Sequence, residues 1–254
     1  MTTATTVVLS RARLAVVAGL VVFTAASWMY LAYVATRMGD MASVLAMPMT
    51  PAWSPTQAAL MALMWSVMMA AMMLPSAVPM VLAYDSLDRG SSVGRSGSTP
   101  LFVGGYIVMW ALFAVVATVL QWLLHTVALV NGMGVVTQGW FAGALLIGAG
   151  IIQFSPAKLS SLGACRTPMG FLMTSWREGG AGALRMGLHH GRLCLGCCWS
   201  LMILLFVLGV MNLVWVAVLA IFALAEKVAP RGVAISRIGG AVLMTWGAFM
   251  VVGG

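Results

Sequence analysis

Acidic residues are almost missing. The 254-residue chain has 5 Asp and Glu against 13 Lys and Arg, and charged residues make up only 7% of it. A soluble domain carries roughly 25% charged residues. So little charge cannot cover a water-facing surface, and the chain reads as one integral membrane domain over residues 1–254. The shortage of carboxylates also removes the usual acid–base pairs of hydrolysis and phosphoryl transfer. No H-E-x-x-H or phosphate-loop motif is present and no acid–base constellation emerges, so no catalytic role is expected. The basic residues occur singly between apolar runs, without a stripe of interleaved aromatics, which argues against nucleic acid as a partner. That charge reads instead as an orientation signal and as attraction to the headgroups of the lipid bilayer. Cysteine is sparse too, at 4 residues, and its spacing is not a disulfide framework.

What is abundant is apolar: 62% of the residues are hydrophobic and 22 are methionine. A membrane helix needs about 20 mostly apolar residues. The pattern predicts an all-α polytopic helix bundle of about seven crossings over 14–34, 57–83, 101–124, 140–154, 193–210, 212–225 and 233–252. The count falls to six if the run through "GVMNLVW" is not split. The first run is too long for a signal-peptide core of about 7–15 residues and is read as a helix. With seven crossings, Arg11, Arg13, Arg89, Arg95, Lys158, Arg166, Arg177, Arg185, Arg192, Lys227, Arg231 and Arg237 fall on one side, and only Arg37 on the other. The excess predicts a cytoplasmic N-terminus and fits a bacterial inner membrane. Residues 85–100 read as a flexible linker, and 155–192 as a long basic cytoplasmic loop with a candidate interfacial helix.

Two stretches carry chemistry. In "HHGRLCLGCCWSLM", His190, Cys194, Cys198 and Met202 step by four, and Cys197 is three after Cys194. Positions three and four apart share a helix face, so these five predict one ligand stripe at the mouth of a membrane helix. His189 points about 100° away and is a secondary candidate. Soft thiolate and thioether ligands select Cu(I) or Zn, and imidazole suits both. Copper ranks first, zinc below it and haem last. Arg192 is placed to offset the charge of a thiolate. A disulfide is disfavoured at a reducing cytoplasmic face.

The second stretch is "MALMWSVMMAAMMLPSAVPM". Met64, Met68 and Met72 step by four, and Met69 and Met73 form a neighbouring pair, followed by Pro75 and Pro79. A kinked helix lined with thioethers would be a path for a soft cation, a spacing also used by membrane copper transporters. Met38, Met41, Met47 and Met49 in the preceding loop would feed it. Packing is the competing reading for every one of these methionines. Glu226 is a further candidate because ionisable groups in membrane segments are functional by default. Against it, Glu226 and Lys227 close a helix and can snorkel to water.

Four blocks together resemble a bacterial family described as predicted metal-binding integral membrane proteins, a domain of unknown function. They are "MWSVMMAAMMLPSAVPM", "QFSPAKLSSLGACRTP", "WREGGAGALRMGLHHGRLCLGCCWSLM" and "GVMNLVWVAVLAIFALAEKVAPRG", spanning roughly 59–246. The resemblance implies metal binding in a membrane. Where that family's loop block has a further Cys before its Cys-Arg pair, this chain has only Cys165, which stands as a secondary candidate. The expected function is binding of Cu(I) for transport or delivery to a partner membrane metalloprotein. The alternative is a non-catalytic accessory subunit of a larger membrane enzyme complex, for which small-residue runs such as "GALLIGAG" would permit close packing.

Overall fold

The computed structural model describes residues 11–36, 52–90, 97–132 and 134–253. Its helices are α1 (Arg11–Thr36), α2 (Pro55–Gly90), α3 (Thr99–Thr126), α4 (Gly139–Ile152), α5 (Pro156–Arg166), α6 (Pro168–Ser175), α7 (Gly179–Ile203), α8 (Leu205–Leu208), α9 (Leu213–Val228) and α10 (Gly232–Gly253). Among the described residues there is no strand, only an isolated bridge between Val130 and Val136. The chain is an all-α polytopic membrane bundle.

Among the described residues, five helical stretches are long and apolar enough to cross a membrane: Arg13–Thr36, Pro55–Arg89, Thr99–Thr126, Gly179–Leu208 and Gly232–Gly253. A sixth candidate is the pair α4–α5, bent by 61° at its break. α9 has 16 residues, short of the roughly 20 that cross a bilayer unaided. The expected count of seven therefore depends on α9 and on α4.

Of the two stretches read as linker or loop, 155–192 is largely helical, and the described ends of 85–100 belong to α2 and α3. α2 runs on to Gly90, and its last turns grip the start of α3. Ser98 Oγ donates to Asp88 Oδ1 at 2.7 Å and Thr99 Oγ1 to Asp85 Oδ1 at 3.0 Å. Residues 155–192 carry α5, α6 and the first half of α7. Pro156 and Pro168 start helices rather than interrupt them, because a first-turn N–H has no intrahelical acceptor and its loss costs nothing.

α2 is the buried axis, with Trp65, Met68, Met69, Met72 and Met73 all 0–1% exposed. Pro75 denies the Ala71 carbonyl its partner within the helix. Trp28 of α1 supplies one, its Nε1 donating to that oxygen at 3.2 Å. α3 lies antiparallel to α2, with Trp65 Nε1 donating to Gln121 Oε1 (2.8 Å) near one end and Tyr84 stacked on Phe102 (4.6 Å) near the other. α3 and α7 run parallel and nearly touch at the backbone: a Cβ on Gly105 would lie 2.9 Å from the Leu188 nitrogen, and one on Gly191 2.7 Å from Met109 Cβ. α4 and α10 form a second close seam, where a Cβ on Gly143 or Gly150 would meet the Gly247 or Gly240 carbonyl at 2.7 Å. The "GALLIGAG" run is thus spent inside this chain.

Candidate metal centre

α7 delivers the predicted stripe. His190, Cys194, Cys197, Cys198 and Met202 are all buried, at 0–3% exposure, and face the bundle interior. The i, i+4 spacing dictates the shared face, and the Gly-lined contact with α3 turns that face towards α2. His189 is only half-buried. It packs against Phe171, ring centroids 5.3 Å apart, and lines an outer cavity that also takes Arg192.

Cys194 is the hub. Its Sγ lies 3.1 Å from the Tyr106 hydroxyl and accepts from Lys227 Nζ at 3.0 Å. Its carbonyl accepts from the thiols of Cys197 (3.0 Å) and Cys198 (2.9 Å). Cys198 Sγ reaches Met73 Sδ at 3.7 Å. Lys227 Nζ also contacts Met73 Sδ at 3.8 Å and donates to Ser76 Oγ at 2.9 Å. Cys165, on α5, is half-buried and packs against the core that holds Cys194, Cys197 and Cys198. All four cysteines are free. Thiols from α5 and α7, a thioether and a hydroxyl from α2, a phenol from α3 and an ammonium from α9 therefore meet in one buried place. Among the described residues, no three His, Cys, Asp or Glu side chains close on a common point as a metal would require. The cation among these donors is Lys227.

His190 lies beside this cluster. Its ring stacks on Tyr106 (5.5 Å) and packs against Phe171 (5.6 Å), and its Nδ1 is buried without a hydrogen-bond partner. An orphaned buried nitrogen costs stability until a partner or ligand satisfies it.

Of the methionine path, Met73 reaches the thiols. Met64, Met68, Met69 and Met72 are buried on the same helix, but none has a hydrogen bond to a cysteine among the described residues; the same holds for Met202 on α7. Met38, Met41, Met47 and Met49 lie outside the described residues.

Two expectations change. Arg192 is not the charge beside Cys194; Lys227 is. Nor do Glu226 and Lys227 snorkel, being 1% and 8% exposed. Glu226 is held by Lys158 Nζ, which donates to its two carboxylate oxygens at 2.9 and 3.0 Å and to Gln153 Oε1. Arg166 Nη1 caps the Glu226 carbonyl at 2.6 Å. These partners come from α5 and from the break after α4, so the Glu226–Lys227 turn is buried although α9 ends at the exposed Val228. Sequence reasoning passed over Tyr106 and Ser76 and discounted Lys227. The one available signal was a lysine in an apolar helix.

A family model described as a copper chaperone, PpoB2, matches residues 62–250, well over half of the chain. No curated protein and no solved structure matches it.

Proposed function

The chain belongs to that copper chaperone family, and from this premise we propose that it carries Cu(I) at the junction of α2, α5, α7 and α9 and yields it to a copper-using membrane partner. We set it in a bacterial inner membrane, its basic end towards the cytoplasm. The observation that carries the reading is the meeting of Cys194, Cys198 and Met73 around the buried ammonium of Lys227.

Copper is the cargo here. Cys194 is the principal ligand, joined by Cys198 or Cys197 and by the weaker Met73 thioether, a donor set that suits a soft monovalent ion. Ligation requires thiolates, and negative charge buried in a bundle is costly unless it is compensated. Lys227 supplies that compensation, and Tyr106 orients the Cys194 sulfur. Cys165 is half-buried and belongs to α5. It offers a neighbouring thiol to which the ion passes by exchange, the first step of release. His190 stands by as a neutral nitrogen donor. A copper chaperone family implies binding and hand-over rather than turnover, in keeping with the lack of a catalytic constellation.

Copper content decides the matter. The protein purified from copper-supplemented cells should hold copper, and the Cys194→Ser/Cys197→Ser/Cys198→Ser variant should lose most of it by elemental analysis. Equal copper in both proteins, or none in the wild type, would sink the proposal.

A further inference from the structure

A second polar site lies on the opposite face of α7 from the cysteines. A cavity of about 450 Å3 is lined by Arg177, Arg185, His189 and Arg192, with Met109 of α3 on its far wall. The sequence builds this convergence. Arg185, His189 and Arg192 recur at steps of four and three on α7 and so share one face. Arg177 precedes the helix and is drawn in by its own backbone. Its N–H donates to Met186 Sδ at 3.2 Å, and its carbonyl oxygen would lie 2.6 Å from a Cβ on Gly182. Only a glycine at 182 lets the chain fold back this closely.

Three guanidinium groups around one hollow repel one another unless something negative sits between them. No ion pair among the described residues does so. Among the described residues the side-chain ion pairs are Arg89–Asp85 and Lys158–Glu226, and neither involves this cavity. Arginine presents a planar fork of donors that matches phosphate oxygens. Below the arginines the same face of the bundle turns apolar. Trp199 follows Arg192 by seven residues at 37% exposure, and Val108 and Leu112 flank Met109 at 46% and 55%. Basic groups above, an indole and bare aliphatic surface beneath, describe the section of a membrane interface.

We propose that Arg177, Arg185, His189 and Arg192 form a binding site for the phosphate of an anionic phospholipid, whose acyl chains run down over Leu112 and Trp199. A free phosphate shares the headgroup chemistry. The continuity of the cradle with apolar surface favours the lipid.

The test reconstitutes the whole chain in nanodiscs of phosphatidylcholine with a minor share of phosphatidylglycerol. Native mass spectrometry then counts the lipids retained on extraction. Wild type should retain phosphatidylglycerol preferentially. Arg185→Gln/Arg192→Gln should lose that preference about 30-fold, at roughly tenfold per 1.4 kcal/mol and about 1 kcal/mol per basic group. Both arginines are exposed, so the variant should keep its melting temperature and copper content. If it fails to fold, Arg185→Gln alone should show about a fivefold loss. Equal retention of the two lipids by wild type, or an unchanged preference in the variants, would overturn the site. Displacement of the lipid by millimolar inorganic phosphate would overturn the lipid assignment. Because the readout is lipid, it can fail or succeed independently of the copper proposal.

Discussion

Two lysines are buried in this bundle, and their surroundings differ in kind. Lys158 is 1% exposed and sits among oxygen atoms: two from Glu226 and one from Gln153, whose side-chain oxygen also accepts from Ser236 at 2.9 Å. Its charge is compensated by a fixed, opposite charge. Lys227 is the next residue after that glutamate, yet its ammonium turns to Cys194, Met73 and Ser76. No carboxylate answers it among these contacts. Its compensation must come from sulfur, whose charge depends on what the sulfur binds. The first lysine is a clasp joining α5 to α9. The second is placed where a change at the thiols is felt. A buried cation met by sulfurs and a hydroxyl, with no carboxylate among its contacts, is therefore better evidence for a working site than a buried cation held by a carboxylate, which is often a structural pair.

The largest effect should come from breaking the clasp. Glu226→Gln leaves Lys158 buried and unpaired, a loss of about 3–5 kcal/mol in comparable pairs. In detergent it should melt well below wild type, and much of the loss should return in Lys158→Met/Glu226→Leu. If Glu226→Gln melts with wild type, the two lysines are not different in kind. Lys227→Met should behave in the opposite way. Its long apolar side chain keeps the packing, so the melting temperature should shift little. Cu(I) affinity, measured by competition with a chromophoric chelator, should fall about 10–100-fold, as when a partner of a metal ligand is removed. A large melting shift with unchanged affinity would make Lys227 a second clasp. The smallest effect belongs to Tyr106→Phe, which deletes the hydroxyl at Cys194. About a tenfold loss of affinity is expected, read in the same competition assay. No loss would show that Cys194 needs no orienting partner.

That the stripe shares one face was legible beforehand. Spacing by four put His190, Cys194 and Cys198 on one face, and the structure keeps them buried together. What spacing cannot express is which helices meet. Cys165 and Lys227 join the cluster from α5 and α9, and only the fold brings them there. Lys227 looked like a helix end free to reach water because the partners that bury α9 there, Lys158 and Arg166, lie about 60 or more residues upstream. The methionine helix shows the opposite limit. Its periodicity is real, but thioethers that pack and thioethers that ligate have the same spacing, and Met73 is singled out by its contacts with Cys198 and Lys227. Within residues 155–192, read as a basic loop with one candidate interfacial helix, Pro156 and Pro168 each stand at the first turn of a helix, α5 and α6.

Met73 and Lys227 touch across a sequence separation of 154 residues, and Tyr106, Cys165 and Cys194 fall between them. A growing chain releases α2 early and α9 near its end. Until α9 arrives, the thiols have no ammonium beside them and α2 has no partner at Ser76. The cluster therefore cannot be assembled piecemeal: a truncated or half-inserted chain has the cysteines but not the ammonium, and under the proposed function completion of the bundle would be the condition for taking up metal.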